Sequence, residues 1–239
     1  MLGKKNLKIL IPLLAIFAVI VFTSFAFHYL NSNQEEVMND FENEKIDLPE
    51  PNTQGEISVE QALKDRRSIR DFKDEEISLE EISQLLWAAQ GITSPDGKRT
   101  APSAGATYPL ETYIVVRKAD NLQPGIYRFV SDGHSLVKIS EGQRSAKLSS
   151  AALGQGFIED APINIVLAAN YERTTDRYGQ RGEMYVHMEA GHAAQNLYLQ
   201  SESLDLGMVV VGAFDEEDVK KVLLLPKDEE PLYIIPIGK

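Results

Sequence analysis

With 239 residues, 43% of them hydrophobic, the chain has material for one core of about 180 residues once an N-terminal appendage is set aside. The formal net charge of −12 argues against nucleic acid or an anionic membrane surface as the main partner of the folded part. The absence of Cys excludes disulfides, thiolate metal sites, a lipidated Cys and Cys catalysis.

Ile9 to Phe27 is an almost continuous apolar run, long enough as a helix to cross a bilayer core of about 30 Å. Lys4, Lys5 and Lys8 precede it, which predicts a transmembrane helix with the N-terminus in the cytoplasm and the body translocated. On this reading the protein is membrane-anchored by a single helix, with its folded domain outside the cytoplasm. Ser24-Phe25-Ala26 resembles a cleavage site, which gives a cleaved, secreted form as the alternative. The expected organisation is an anchor over 1–30, an acidic flexible tether over 31–56 and a folded domain over 57–239.

Within the domain, Ser58-Val59-Glu60-Gln61 predicts a capped helix from Val59 to Asp65. Ser78-Leu79-Glu80-Glu81 opens a second, with Leu79, Ile82, Leu85, Leu86 and Ala89 on one face, Trp87 beside it and Gly91 as a left-handed stop. Ile92 to Pro109 is a long loop of small and turn-forming residues. Glu111–Arg117 reads as a strand, and Gly125–Val130 with Ser135–Ile139 as a hairpin about Ser131-Asp132-Gly133. A helix is expected over Gln143–Leu153, a buried strand over Ile163–Ala169 and a polar loop over Tyr171–Gly182. The longest helix should run from Glu183 to about Leu204, its small residues admitting another helix closely. Gly207–Phe214 reads as a strand, Asp215 as a helix cap and Leu232–Ile237 as the last strand.

The stretch RRSIRDF places Arg66, Arg67, Ser68 and Arg70 within five positions. A guanidinium donates two parallel hydrogen bonds and keeps its charge, so this density fits a phosphate. The competing reading is a surface cluster paired with Asp71, Asp74, Glu75 and Glu76. Ala101 to Pro109 (APSAGATYP) offers small residues against which a flat ligand can lie, with hydroxyls at Ser103 and Thr107. Glu183, His187, Glu189 and His192 suggest no metal site, because the two histidines sit about 140° apart around a helix. No GxSxG, GxGxxG or GxxxxGKS pattern is present.

RRSIRDF, PSAGATYPLE, EAGHAAQNLYLQSESLDLGMVVVGAFD and LYIIPIG occur in the order seen in the nitroreductase family, and the chain most resembles its SagB-type dehydrogenase branch. The resemblance covers Ile57 to Lys239. It implies an α+β fold with a central β-sheet flanked by helices, and a homodimer with FMN at its interface. It also implies an FMN-dependent oxidoreductase that passes hydride or electrons through flavin N5, from a donor such as NAD(P)H to a small-molecule acceptor. No side chain is required to carry the hydride. Arg66, Arg67, Ser68 and Arg70 would hold the phosphate and ribityl chain. Pro102, Ser103, Ala104 and Gly105 would line the ring from the second subunit, and Val211 and Gly212 would approach N5 by their backbone. Lys239 would supply a C-terminal cation near the phosphate. Azoline-oxidising relatives carry a Lys-Tyr base where this chain has Arg177-Tyr178, and Arg is a poor proton acceptor. The alternative is a membrane-tethered flavin-binding protein without catalysis.

Overall fold

The computed structural model describes residues 45–239. Its elements in chain order are β1 (Lys45–Asp47), α1 (Val59–Asp65), α2 (Leu79–Gln90), a 3-10 turn (Ala104–Ala106), β2 (Leu110–Val116), β3 (Gly125–Val130) and β4 (Ser135–Glu141). There follow α3 (Ser145–Ala151), α4 (Gly156–Asp160), β5 (Ile163–Ala169), α5 (Glu172–Tyr178), α6 (Arg181–Ser203), β6 (Gly207–Met208), α7 (Glu216–Leu223) and β7 (Glu230–Gly238).

The strands form one antiparallel sheet in the order β1-β4-β3-β2-β5-β7-β6. Alternate side chains of its central strands enter two separate cores. Leu110, Ile114, Ile165 and Leu167 meet Ile82, Leu86, Ala190, Ala193 and Leu197 of α2 and α6. Tyr113, Val115, Val166 and Ala168 meet Leu148, Ile158, Val219 and Leu223 of α3, α4 and α7. Because both faces are covered, β5 is apolar at nearly every position, unlike a strand with one wet face. The result is a nitroreductase-like α+β arrangement with a central sheet flanked by helices.

Caps set the starts of the first two helices. The Ser58 hydroxyl accepts the Gln61 N–H, and α2 opens with a complete capping box between Ser78 and Glu81. Gly91, expected as a left-handed stop, is instead extended (φ −66°, ψ 145°). It is small because a Cβ there would lie 2.2 Å from Trp87 Cδ1. The polar stretch read as a loop contains α5, of which only Thr174 is buried, so no apolar period announced it. The strand expected over Gly207–Phe214 is cut to Gly207–Met208 plus one bridge at Val211, because the Val210 N–H turns to Tyr198 Oη (3.1 Å) instead of the ladder. The helix expected over Gln143–Leu153 is shorter and is followed by the separate α4.

The transmembrane helix expected over Ile9 to Phe27 lies outside the described residues. Among the described residues, no helix is long and apolar enough to cross a membrane. The longest, α6 with 23 residues, carries Arg181, Glu183, Glu189 and Glu202, and each charge would be unfavourable in hydrocarbon. The expectations of a transmembrane helix in the fold, of membrane association through it and of an anchored, extracytoplasmic domain are corrected on this finding. Residues 45–52, read from the sequence as the end of the tether, dock on the domain. Lys45–Asp47 pairs with β4, Leu48 is buried, and the Asn52 N–H donates to Gln84 Oε1 (2.7 Å).

Candidate functional site

At the end of α1, Arg66 leaves the helical region (φ −45°, ψ 122°) and its guanidinium lies 4.9 Å from the ring centroid of Tyr198 on α6. The Arg67 guanidinium folds back onto the carbonyls of Lys64 (3.0 Å) and Arg66 (2.7 Å), which the helix end leaves without intrahelical partners. Ser68 Oγ is 3.0 Å from Tyr198 Oη, and that same oxygen accepts the Val210 N–H. The Ile69 N–H donates to Met208 O (2.9 Å), strapping the stretch beside β6. Arg66, Arg67 and Ser68 are thus brought together around Tyr198. Arg70 is not: its guanidinium sits 5.8 Å from the Phe157 ring and lines a cleft of about 430 Å³ with Asp71, Asp74, Arg117 and Glu159.

The paired-surface reading of the cluster does not hold. Asp74 is engaged by Arg117 (3.0 Å) and Lys118 (3.3 Å), whose hydrogen bonds hold its carboxyl below the usual range. Among the described residues, no ion pair involves Arg66 or Arg67. Two guanidiniums and a hydroxyl without anionic partners form a donor set that suits a phosphate group.

The second candidate region, Ala101 to Pro109, is held by many bonds. Gly105 (φ 62°), Ala106 (φ 54°) and Tyr108 (φ 45°) are all left-handed. Ser103 Oγ accepts the Tyr108 N–H (2.9 Å), and Thr107 Oγ1 meets Thr174 Oγ1 (2.8 Å). Arg173 donates to Tyr108 O (3.2 Å) and Arg177 to Gly105 O (3.0 Å). A Cβ on Gly105 would lie 2.5 Å from Tyr178 Oη and 2.8 Å from Arg177 Nη1. Pro102 and Gly105 are exposed, and Ser103 and Ala104 half-buried, so the loop presents small residues on a fixed backbone.

Beside the loop is Glu189 of α6, only 2% exposed. Burial pushes its carboxyl up to about 7, against the pull of the Ser103 hydroxyl and the Arg99 charge. The Arg99 guanidinium lies 4.6 Å from the Tyr108 ring centroid and donates to Gln90 Oε1 (2.8 Å). Neither Glu189 nor Tyr198 was picked out from the sequence for this site. Glu189 follows Val186 by one helical turn, on the face that also carries Ala190 and Ala193, and that spacing is the one signal of its burial.

Of the remaining expected residues, Val211 exchanges both backbone hydrogen bonds with Ile234 (2.8 and 3.0 Å), so its N–H is committed to the sheet. Gly212 beside it is exposed. Lys239 directs its ammonium to Glu81 Oε1 (3.7 Å) and its carbonyl to the Lys73 N–H (2.7 Å). The two motif regions meet α6 at Tyr198 and at Glu189, nine positions apart. At about 100° and 1.5 Å per residue, that is two and a half turns, on opposite faces and about 14 Å apart along the axis.

A model described as the nitroreductase family matches residues 63–239, which hold both regions. The chain belongs to the nitroreductase family. This nitroreductase-family chain is 47% identical over 184 residues to a protein of Methanocaldococcus jannaschii named for that family, across 77% of this chain and 92% of the relative. It is 25% identical over 195 residues to the FMN reductase (NAD(P)H) of Bacillus subtilis, across 75% of this chain and 65% of that protein. The crystal structure of a Ralstonia eutropha protein, also named for the nitroreductase family, aligns with a TM-score of 0.72 at 31% identity, covering 83% of this chain and 90% of that one. The protein is accordingly an oxidoreductase, an enzyme of the nitroreductase type.

Proposed function

We propose that this protein is an FMN-dependent oxidoreductase of the SagB-type dehydrogenase branch, taking electrons from NAD(P)H and passing them to a small-molecule acceptor as a homodimer. FMN and NAD(P)H come with the family and with the FMN reductase relative. The observation that carries the reading is the donor set of Arg66, Arg67 and Ser68, which has no anionic partner of its own. Those three residues would hold the FMN phosphate, with Arg70 reaching the ribityl chain only from its place at Phe157. Bound FMN supplies hydride acceptance and donation.

The chain's own residues orient and enclose. Pro102, Ser103, Ala104 and Gly105 would receive the flat ring on a backbone whose left-handed residues are already set. Gly212, with no side chain, would bring its backbone to the ring edge, whereas the Val211 N–H is already used by Ile234. Because Tyr198 and Glu189 lie on opposite faces of α6, the phosphate set of one copy is completed by the loop of a second. Met184 and Met188 of α6, with Val59 and Leu63 of α1, are exposed apolar side chains that a second copy would cover. Arg177 donates to the Gly105 carbonyl, and a guanidinium is a poor proton acceptor, which argues against azoline oxidation.

The test is the visible spectrum of the purified full chain before and after anaerobic NADH or NADPH, with its mass in solution. Flavin bands that bleach on addition, in a dimer, are the expected result. A colourless protein that takes up no FMN on soaking would sink the reading.

A further inference from the structure

One side chain links the phosphate donor set to a distant stretch of main chain. Tyr198 packs against the core that α2 and α6 share with the sheet, and the Arg66 guanidinium lies 4.9 Å from its ring centroid. Its hydroxyl meets two groups from different parts of the chain. The Val210 N–H donates to Tyr198 Oη (3.1 Å), and Ser68 Oγ lies 3.0 Å from the same oxygen. Val209 and Val211, on either side, donate to Pro236 O (3.4 Å) and Ile234 O (2.8 Å) of β7. Of these three amides, the middle one is given to a side chain. The stretch that carries Ser68 is held close to β6 by its neighbour Ile69, whose N–H donates to Met208 O (2.9 Å). Ile69 also packs where a Cβ on Gly207 would stand, 2.7 Å from its Cγ2.

The donors and acceptors set the direction of these bonds. A main-chain N–H can only donate, so Tyr198 Oη accepts at one end. A hydroxyl has one proton, and the contact between Tyr198 and Ser68 can run either way. A charged phosphate oxygen can only accept. With a phosphate at Ser68, the Ser68 proton points outward and its oxygen takes the Tyr198 proton. The order is then Val210 N–H to Tyr198 Oη, Tyr198 O–H to Ser68 Oγ, and Ser68 O–H to the anion. Hydrogen bonds in series polarise one another, so the last donor is stronger than that of a free serine.

We propose that Tyr198 is a positioning residue: its hydroxyl turns the Ser68 proton toward a phosphate and so adds to the site's preference for phosphorylated flavin. The Val210 amide anchors that direction from the far end. The proposal rests on the FMN reading of the site, and deepens it by assigning part of the selectivity to a residue that acts only through Ser68.

The experiment compares the full-length parent, Tyr198→Phe, Ser68→Ala and the double variant. Phe keeps the ring and its place under Arg66, and removes only the hydroxyl. Two quantities are read: the ratio of riboflavin to FMN dissociation constants, and amide exchange at Val210 with each flavin bound. Ser68→Ala lowers the ratio about tenfold, the worth of one charge-assisted hydrogen bond. Tyr198→Phe lowers it about three- to fivefold, because Ser68 remains but must be ordered on binding. The double variant matches Ser68→Ala, since both substitutions break one chain. In the parent, Val210 exchanges up to about twofold more slowly with FMN than with riboflavin, and Ser68→Ala abolishes the difference. That last comparison needs no change at Tyr198, so it stands even where Tyr198→Phe folds poorly. Equal weakening of both flavins in Tyr198→Phe overturns the proposal in favour of a plain packing role. A double variant whose ratio falls by the product of the single effects, or Val210 exchange that ignores the phosphate in the parent, also overturns it and leaves the FMN reading intact. A parent that takes up neither flavin overturns both.

Discussion

In the stretch from Arg66 to Ser68 the polar groups meet only neutral partners, the helix-end carbonyls and Tyr198, whereas in the 101–109 loop most polar groups are tied to α5 or the loop itself. The first region is charge on a nearly regular backbone. The second is nearly uncharged and holds three left-handed residues in four positions, a conformation that costs about 1–3 kcal/mol per non-Gly residue unless its surroundings enforce it. The difference matches two kinds of recognition. A phosphate is bound by charge, so its donors are best left without a competing anion. A flat ring is bound by shape, so the backbone beneath it must be settled beforehand. The two regions should therefore fail differently.

The largest effect expected is on the charged side. Replacing Arg66 and Arg67 together by Ala should weaken FMN by about a hundredfold or more, as two charge-assisted contacts are lost. Riboflavin, which has no phosphate, should bind the variant and the parent alike. The melting temperature should barely move, because Arg67 contributes only helix-end hydrogen bonds at the surface. Equal loss of riboflavin binding, measured by fluorescence titration, would break the comparison by showing that these arginines shape the site as well as charge it.

The same division explains what could be read without a structure. The boundaries of α1 and α2 were legible because capping residues are local. β5 was legible because both its faces are covered, leaving an unbroken apolar run. The Arg cluster announced itself by charge. The loop's small residues were visible, but the bonds that fix it were not, since Ser68 meets Tyr198 across 130 positions and Thr107 meets Thr174 across 67. Only the topology brings them together. The strand expected to continue past Met208 failed for the same reason: a distant tyrosine hydroxyl takes the Val210 N–H.

A second test strikes the shaped region. Gly105→Ala adds a Cβ that would lie 2.5 Å from Tyr178 Oη and 2.8 Å from Arg177 Nη1, at φ 62°. About 1–3 kcal/mol of stability should be lost. Gly97→Ala is the control, since it has φ 79° and nothing within 4 Å, and so reports strain without collision. The excess destabilisation of Gly105→Ala over Gly97→Ala, read by denaturant unfolding, measures how firmly α5 holds the loop. Equal values would mean that Arg177 and Tyr178 swing aside, and that the loop is less settled than its hydrogen bonds imply.

Lys239 sharpens the comparison at its smallest scale. By chain position it belongs with the charged region, yet its ammonium lies 3.7 Å from Glu81, whose other oxygen accepts the Ser78 N–H at the start of α2 (2.7 Å). A half-exposed pair of this length contributes about 1 kcal/mol at most. Lys239→Ala should therefore leave stability within that range and change FMN affinity less than threefold, about 0.6 kcal/mol. The Arg67 set then suffices for the phosphate. A tenfold loss of FMN affinity, with riboflavin binding unchanged, would show that Lys239 leaves Glu81 for the phosphate once a ligand is present. The charged region would then be completed by the ligand, while the loop is complete before it.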